Sequence, residues 1–470
     1  MSHAIVWFRR DLRLADNTAL HEACVAHTGI VPLYIHAPQE EGDWAPGAAS
    51  RWWLHHSLHE LDGSLRQHHG SLHIRQGDSL QMLLDVVQHS GADTVYWNRL
   101  YEPAAIARDT RIKTALREHG IAVHSFGTAL WQEPWQLATQ EGQPYRVFTP
   151  YWRKLRTLVE ATPTWPVPSL HLTPVEGGLA LADLNLLPRI GWDAGLREAW
   201  TPGEQGAQSM LDLFADDAVS DYTVARDLPA RHGTSRLSPH LHFGEITPRQ
   251  IHHGLVERLR GRDAKRRPDI EPYLRELGWR EFAHYLLYHF PQTPIGNFNS
   301  RFDGFAWAPD DDVWLTRWQR GRTGIPLVDA GMRELWHTGW MHNRVRMIVA
   351  SFLTKHLRQH WQHGARWFWD TLVDADLANN TLGWQWVAGC GADAAPYFRI
   401  FNPVTQAQKF DPKGQYLRRW LPELSSVSDA LLHEPWKDAA LLKRSGYPAP
   451  MIDLGAARQA ALAAYQASRG

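Results

Sequence analysis

The chain has 470 residues, 44% hydrophobic and 21% charged, with a formal net charge of -1 and a pI near 7.2. That length can bury large cores and suggests two or three domains, while the composition carries no signature of disorder or of a membrane span. Cys24 and Cys390 are too few for a disulfide framework or a tetrahedral zinc site, and the balanced charge argues against gripping nucleic acid through overall positive charge.

The first 126 residues alternate short β-branched runs with helical stretches. IVWF (5–8), IVPLYIH (30–36), SLHIRQ (71–76), DTVYWN (93–98) and IAVHSF (121–126) read as strands, and SLQMLLDVVQHS and ARDTRIKTALREHG between them carry a 3.6-residue period. This βαβ rhythm predicts a five-stranded, parallel, doubly wound sheet over 1–126. No GxGxxG follows the first strand, so the usual dinucleotide fingerprint is absent. MSHAIVWFRR offers too short an apolar run for a signal peptide and passes straight into a strand, which predicts a cytoplasmic protein. Residues 127–200 lose the rhythm and gain Pro and Trp, as in TPTWPVPSL, and predict a connector over the surface. From 201 to 470 helical patterns dominate. EPYLRELGWREFAHYLLYHF and GMRELWHTGWMHNRVRMIVASFLTKHLRQHW are the longest, and apolar residues on more than one side imply burial in an all-α domain.

Polar groups concentrate at a few places in that helical half. GTSRLSP (233–239) sets three hydroxyls and an arginine before a helix start, with Ser238 as N-cap and Pro239 at the first helical position, which suits either simple capping or a phosphate. In YLRELGWREF and the residue after it, Glu276, Trp279, Arg280 and Ala283 fall on one helix face. DADLANNTLGWQW (374–386) crowds two carboxylates, two adjacent asparagines and two indoles, and WMHNRVRM (340–347) supplies matching Arg, Asn and His groups. Charges withdrawn from water need partners, so the two segments read as one polar site. Hydrogen-bonding edges and oxidisable indoles around one cavity suit a large planar cofactor better than a metal, and no metal is expected.

The amino-terminal VWFRRDLRLADN, then GTSRLSP, WMHNRVRM, DADLANN, GWQW and DAAPYFRIFNP, in this order, resemble the photolyase and cryptochrome family. They look most like its bacterial class I type, which repairs cyclobutane pyrimidine dimers. The resemblance runs from Ile5 to about Leu462. It implies an antenna role for 1–126 and FAD and lesion binding for 201–470. Tyr222, Thr234, Ser235, Arg236, Leu237 and Ser238 would hold the diphosphate and adenosine side of FAD, and Tyr273 and Arg280 would also bind the cofactor. Asn343, Arg346, Asp374, Asp376 and Asn380 would line the flavin edge, with Arg346 paired to Asp374 and Asn380 facing N5, where plant cryptochromes have Asp. Glu276 would hydrogen-bond the damaged base, with Trp279, Met347 and Trp386 packed against the dimer. Members that repair 6-4 products carry His at the position of Met347. Asn343, Arg344 and Arg399 would touch the DNA.

The same resemblance implies light-driven electron transfer from reduced, anionic FADH to a flipped-out dimer, with no net redox change, in UV-damaged DNA bound by a monomer. Trp384, Trp361 and Trp307 match the family's photoreduction relay, from flavin to surface. The antenna signatures are missing. Ala104-Ala105 replaces the Asn-Glu pair of folate-binding relatives, and Leu100 the Asp of deazaflavin-binding ones; methenyltetrahydrofolate held in another way is the expected second chromophore, and an unused cleft the alternative. A blue-light photoreceptor without repair activity is the alternative.

Overall fold

The computed structural model describes residues 2–261, 268–394 and 398–468, so the middle of DAAPYFRIFNP lies outside the described residues. Strands β1 (His3–Phe8), β2 (Gly29–His36), β3 (His73–Gln76), β4 (Thr94–Asn98) and β5 (Ala122–Phe126) form one parallel sheet in the order β3-β2-β1-β4-β5. Each lies within two residues of the run read from the sequence. β1 pairs with both β2 and β4, so the sheet winds outward in both directions from its centre. Alternation along β1 feeds two cores. Ala4, Val6 and Phe8 pack with the helices Thr18–Ala26 and Ala48–Gln67, whereas Ile5 and Trp7 pack with Ser79–Ser90 and Pro103–Glu118. Both faces being covered, the strand reads as a continuous apolar run.

The expected connector is more than a surface strap. It contains the helix Phe148–Arg156, whose Phe148, Tyr151, Trp152 and Leu155 are buried against the Glu271–His289 helix. Gly278 permits that contact, because a Cβ there would overlap the Trp152 ring.

From Ala194 to Ala467 every regular element of the described residues is helical. Glu271–His289 and Leu377–Ala388 are buried on more than one side, as their apolar content implies. The long helical pattern of 331–361 is in fact broken. Pro326–Thr338 ends at Gly339, which adopts φ +66° and returns its N–H to Leu335 O, a cap that glycine takes without strain. The chain restarts at Asn343–Ser351, passes through a π-helical turn at Phe352–His356 and restarts again at Trp361–Thr371. No described helix is long and apolar enough to cross a membrane.

Candidate functional site

Four segments converge on one polar site: 222–238, the Glu271–His289 helix, the Asn343–Ser351 helix and the Leu377–Ala388 helix. On one side Tyr273 donates its hydroxyl to Ser235 Oγ at 3.0 Å, and its ring meets Tyr222 edge-on at 5.3 Å. Ser235 Oγ in turn lies 3.4 Å from the Leu237 N–H. Arg236 is held at φ +53°, so its guanidinium turns over Trp200 and Trp340, and its Nε is buried without a hydrogen-bond partner. Thr234 is half-buried beside it. Ser238 is not the N-cap that the sequence suggested. Leu237 occupies that position, and the Ser238 hydroxyl instead donates to Asp374 Oδ2 at 2.6 Å. A long-range carboxylate partner outweighs the local cap.

Asp374 is the centre of the second group. Arg346 Nη2 donates to both its oxygens, at 2.8 and 3.1 Å, and Arg346 Nε donates to Met341 O. The Arg346 helix begins at a cap made by His342, whose Nδ1 accepts the Arg344 N–H, which requires a neutral ring. Burial, with Arg344 and Arg346 adding to it against Asp227, pushes the His342 pKa down to about 4, consistent with that role. Asn343, first in the helix, is exposed.

Asp376 caps the next helix, its Oδ1 accepting the Asn379 N–H and side-chain amide at 2.8 and 2.7 Å. Its Oδ2 faces His284 Nε2 at 3.3 Å and His242 Nδ1 at 3.5 Å. Burial pushes this carboxyl up, but the His284 charge and the two imidazoles outweigh it and hold the group well below the carboxylate range. Both oxygens thus face protein donors. One turn on, Asn380 donates its amide to Ala365 O, which leaves its carbonyl oxygen as the acceptor end. Arg280 reaches back to Ala129 O and Leu241 O.

The residues expected at the lesion divide into two places. Glu276 pairs with Arg226 (2.7 Å) and Arg344 with Asp227 (2.6 Å), so two consecutive residues tie the Glu271–His289 and Asn343–Ser351 helices together. Met347 is half-buried on the latter, and Trp279 stacks on Phe148 at 3.7 Å. Trp386 and Arg399 instead line a cavity of about 550 Å³ with Arg146 and Lys355, and neither Glu276, Trp279 nor Met347 lines it. Arg226, Asp227, His242 and His284 were missed in the sequence. Only His284 left a signal there, lying two helical turns beyond Glu276 on the same face.

Among the indoles, Trp384 is buried against Gly364, where a Cβ would overlap its ring. Trp361 is buried with Nε1 donating to Asn297 Oδ1 at 3.1 Å, on the helix packed against that of Trp384. Part-exposed Trp307 reaches Trp361 through His360, with ring separations of 4.9 and 5.7 Å.

This donor set fits FAD. A guanidinium with an orphaned nitrogen and the Ser235 hydroxyl, which only accepts within the protein, suit a diphosphate, and a buried Arg–Asp pair beside a free amide acceptor suits the flavin edge. Comparison with known proteins agrees. The sequence profile described as FAD binding domain of DNA photolyase matches residues 273–467, and that described as DNA photolyase matches 4–169. The chain is 48% identical to a deoxyribodipyrimidine photo-lyase of Agrobacterium fabrum, over 98% of this chain and 97% of that one. It is 39% identical to Cryptochrome-2 of Arabidopsis thaliana, over 97% of this chain and 77% of the relative. A crystal structure of a bacterial class III photolyase from Agrobacterium tumefaciens superposes with a TM-score of 0.94 at 45% identity, covering 100% of this chain and 98% of the other. That neighbour is a class III photolyase, and the class I type expected from the motifs is not shown.

Proposed function

This chain belongs to the DNA photolyase and cryptochrome family, and from that premise we propose that it is a DNA photo-lyase that splits cyclobutane pyrimidine dimers with light. The observation that carries the reading is the Ser238–Asp374–Arg346 cluster, set beside the helix that bears Asn380 and Trp384. Bound FAD, in its reduced anionic form, supplies the light-absorbing one-electron donor. Ser235, Arg236 and Tyr273 hold its phosphates and adenosine, and Arg346 orients the flavin edge through Asp374. The Asn380 carbonyl accepts a hydrogen at N5 without a change of charge, which suits a reduced cofactor.

A dimer must leave the base stack to reach such a site. Arg344 and Arg399 offer guanidinium donors to the phosphates around the extruded pair. Glu276 is held at one oxygen by Arg226, which leaves the other for a pyrimidine N–H. Glu276→Ala is expected to weaken dimer binding about tenfold, the worth of one charge-assisted hydrogen bond, and to lower repair yield while FAD stays bound. Titration of a dimer-containing oligonucleotide, with repair yield per photon, checks this, and unchanged values would remove Glu276 from the site. The reading as a whole is tested by illuminating that oligonucleotide with the reduced, FAD-loaded protein. A dimer that persists in that test, while the oxidised form of the same protein photoreduces normally, would favour the photoreceptor alternative.

We further infer a second chromophore, methenyltetrahydrofolate, in the cleft where the sheet meets the helical part. Trp7, Arg9, Arg10, Tyr34, Leu100 and Trp369 line it, and Trp7 Nε1 and Arg9 Nε are buried there without hydrogen-bond partners. The absorption spectrum of the purified protein is expected to show a near-ultraviolet band beyond the flavin's own. An extra blue band would point to a deazaflavin instead.

A further inference from the structure

We propose that His284 is a positioning residue for the light-driven reaction: held as an imidazolium, it pairs with Asp376 and fixes the start of the Leu377–Ala388 helix, which carries Asn380 and Trp384. The proposal rests on the flavin reading above. Its charge follows from the two ring nitrogens. Nδ1 lies 3.0 Å from Arg280 O and Nε2 lies 3.3 Å from Asp376 Oδ2, and both oxygens only accept. A neutral imidazole has one N–H and would set a lone pair against one of them, whereas the imidazolium gives an N–H to Arg280 O and turns its charge to Asp376.

The surroundings leave His284 as the direct counter-charge. Its side chain is 6% exposed and that of Asp376 8%, so neither charge is compensated by water. From its own helix, Arg280 points its guanidinium to Ala129 O, and Glu281, whose burial pushes its pKa up to about 7, accepts the Trp131 N–H. From the Ser238–His242 helix, His242 stands farther from Asp376 and its Nδ1 makes no hydrogen bond. From the loop after β1, Arg10 is engaged by Glu102 at 2.7 Å. Tyr101 presents its ring edge-on at 6.5 Å and gives its hydroxyl to Glu133. Burial lowers the His284 pKa, but the Asp376 charge and hydrogen bond outweigh it and raise it.

Loss of the imidazolium leaves the Asp376 charge unbalanced beside the pocket, which disfavours an anionic reduced flavin and loosens the helix start. With the FAD-loaded full chain, the His284 ring, assigned by its absence in His284→Gln, is expected to be protonated at pH 7 by ¹⁵N NMR. In His284→Gln the reduced flavin should bind about tenfold more weakly relative to the oxidised form, a fall of about 30 mV in the two-electron potential. His284→Arg, which keeps the charge, should restore it. A ring that is neutral at pH 7, or a potential unmoved in the glutamine variant, overturns the proposal. If that variant holds no flavin, the wild-type NMR titration and the arginine variant still decide. A wild-type protein that takes up no FAD would sink the flavin reading, not the ring's charge.

Discussion

Asp374→Ala is expected to purify without flavin and to unfold at lower denaturant concentration. The Asp374 side chain is 4% exposed and receives three hydrogen bonds, two from Arg346 Nη2 and one from Ser238 Oγ. Alanine leaves Arg346, itself only 24% exposed, with Met341 O as its remaining acceptor. Removing one partner of a buried pair is destabilising because the other charge stays behind in a medium that solvates it poorly, by about 3 kcal/mol. Part of that loss falls on the cofactor site. Asp374 holds Arg346 on one side and the 234–238 segment on the other, so both gripping surfaces lose their shared anchor. Since a ligand that binds only the folded state stabilises it by mass action, loss of flavin lowers the midpoint further. Asp374→Asn retains an acceptor for Ser238 and should lose less. The flavin-to-protein absorbance ratio and the denaturant midpoint check both variants. A yellow alanine variant at the wild-type ratio would show that the pair is not part of the cofactor site.

The same residues show what a sequence can and cannot convey. β1 was legible because five consecutive apolar residues leave a buried parallel strand as the economical reading, and its alternation then sets which side each residue serves. The Arg346–Asp374 pair was legible because two charged residues in apolar segments must find each other. Three features were not. Ser238 looked like a cap by its position, but an Asp 136 residues later took its hydroxyl. Glu276 and Arg344 looked like ligands for a substrate alone, whereas Arg226 and Asp227 already hold them, a pairing that spacing along the chain cannot announce. The 331–361 run looked like continuous helix, since Gly339 is tolerated inside helices and only its positive φ marks the end. In each case the deciding partner is remote in sequence or is a backbone angle, and neither leaves a periodic trace.

Trp384→Phe should abolish photoreduction of the oxidised, FAD-loaded protein in the presence of dithiothreitol, slowing it by at least about 100-fold, which corresponds to about 2.7 kcal/mol of barrier. The indole is 2% exposed, meets Phe368 edge-on at 5.0 Å and Trp318 at 6.2 Å, and sets the far edge of its six-membered ring where a Cβ of Gly364 would stand. It is therefore clamped in one position on the helix that carries Asn380, four residues away and so on the same face. Phenylalanine fills most of that space, so the fold should survive at a loss of about 1 kcal/mol, but a benzene ring is far harder to oxidise than an indole. The defect should be confined to loading the cofactor with electrons. Protein reduced chemically before illumination should repair a dimer at the wild-type yield, because the repair step returns its electron and draws nothing from the tryptophan. Trp361→Phe, on the helix packed against that of Trp384, should give the same pattern, since its indole is joined through His360 to Trp307. Photoreduction at the wild-type rate in Trp384→Phe would remove that residue from the path, and a parallel loss of repair in the prereduced variant would mean that Trp384 shapes the pocket instead of feeding it.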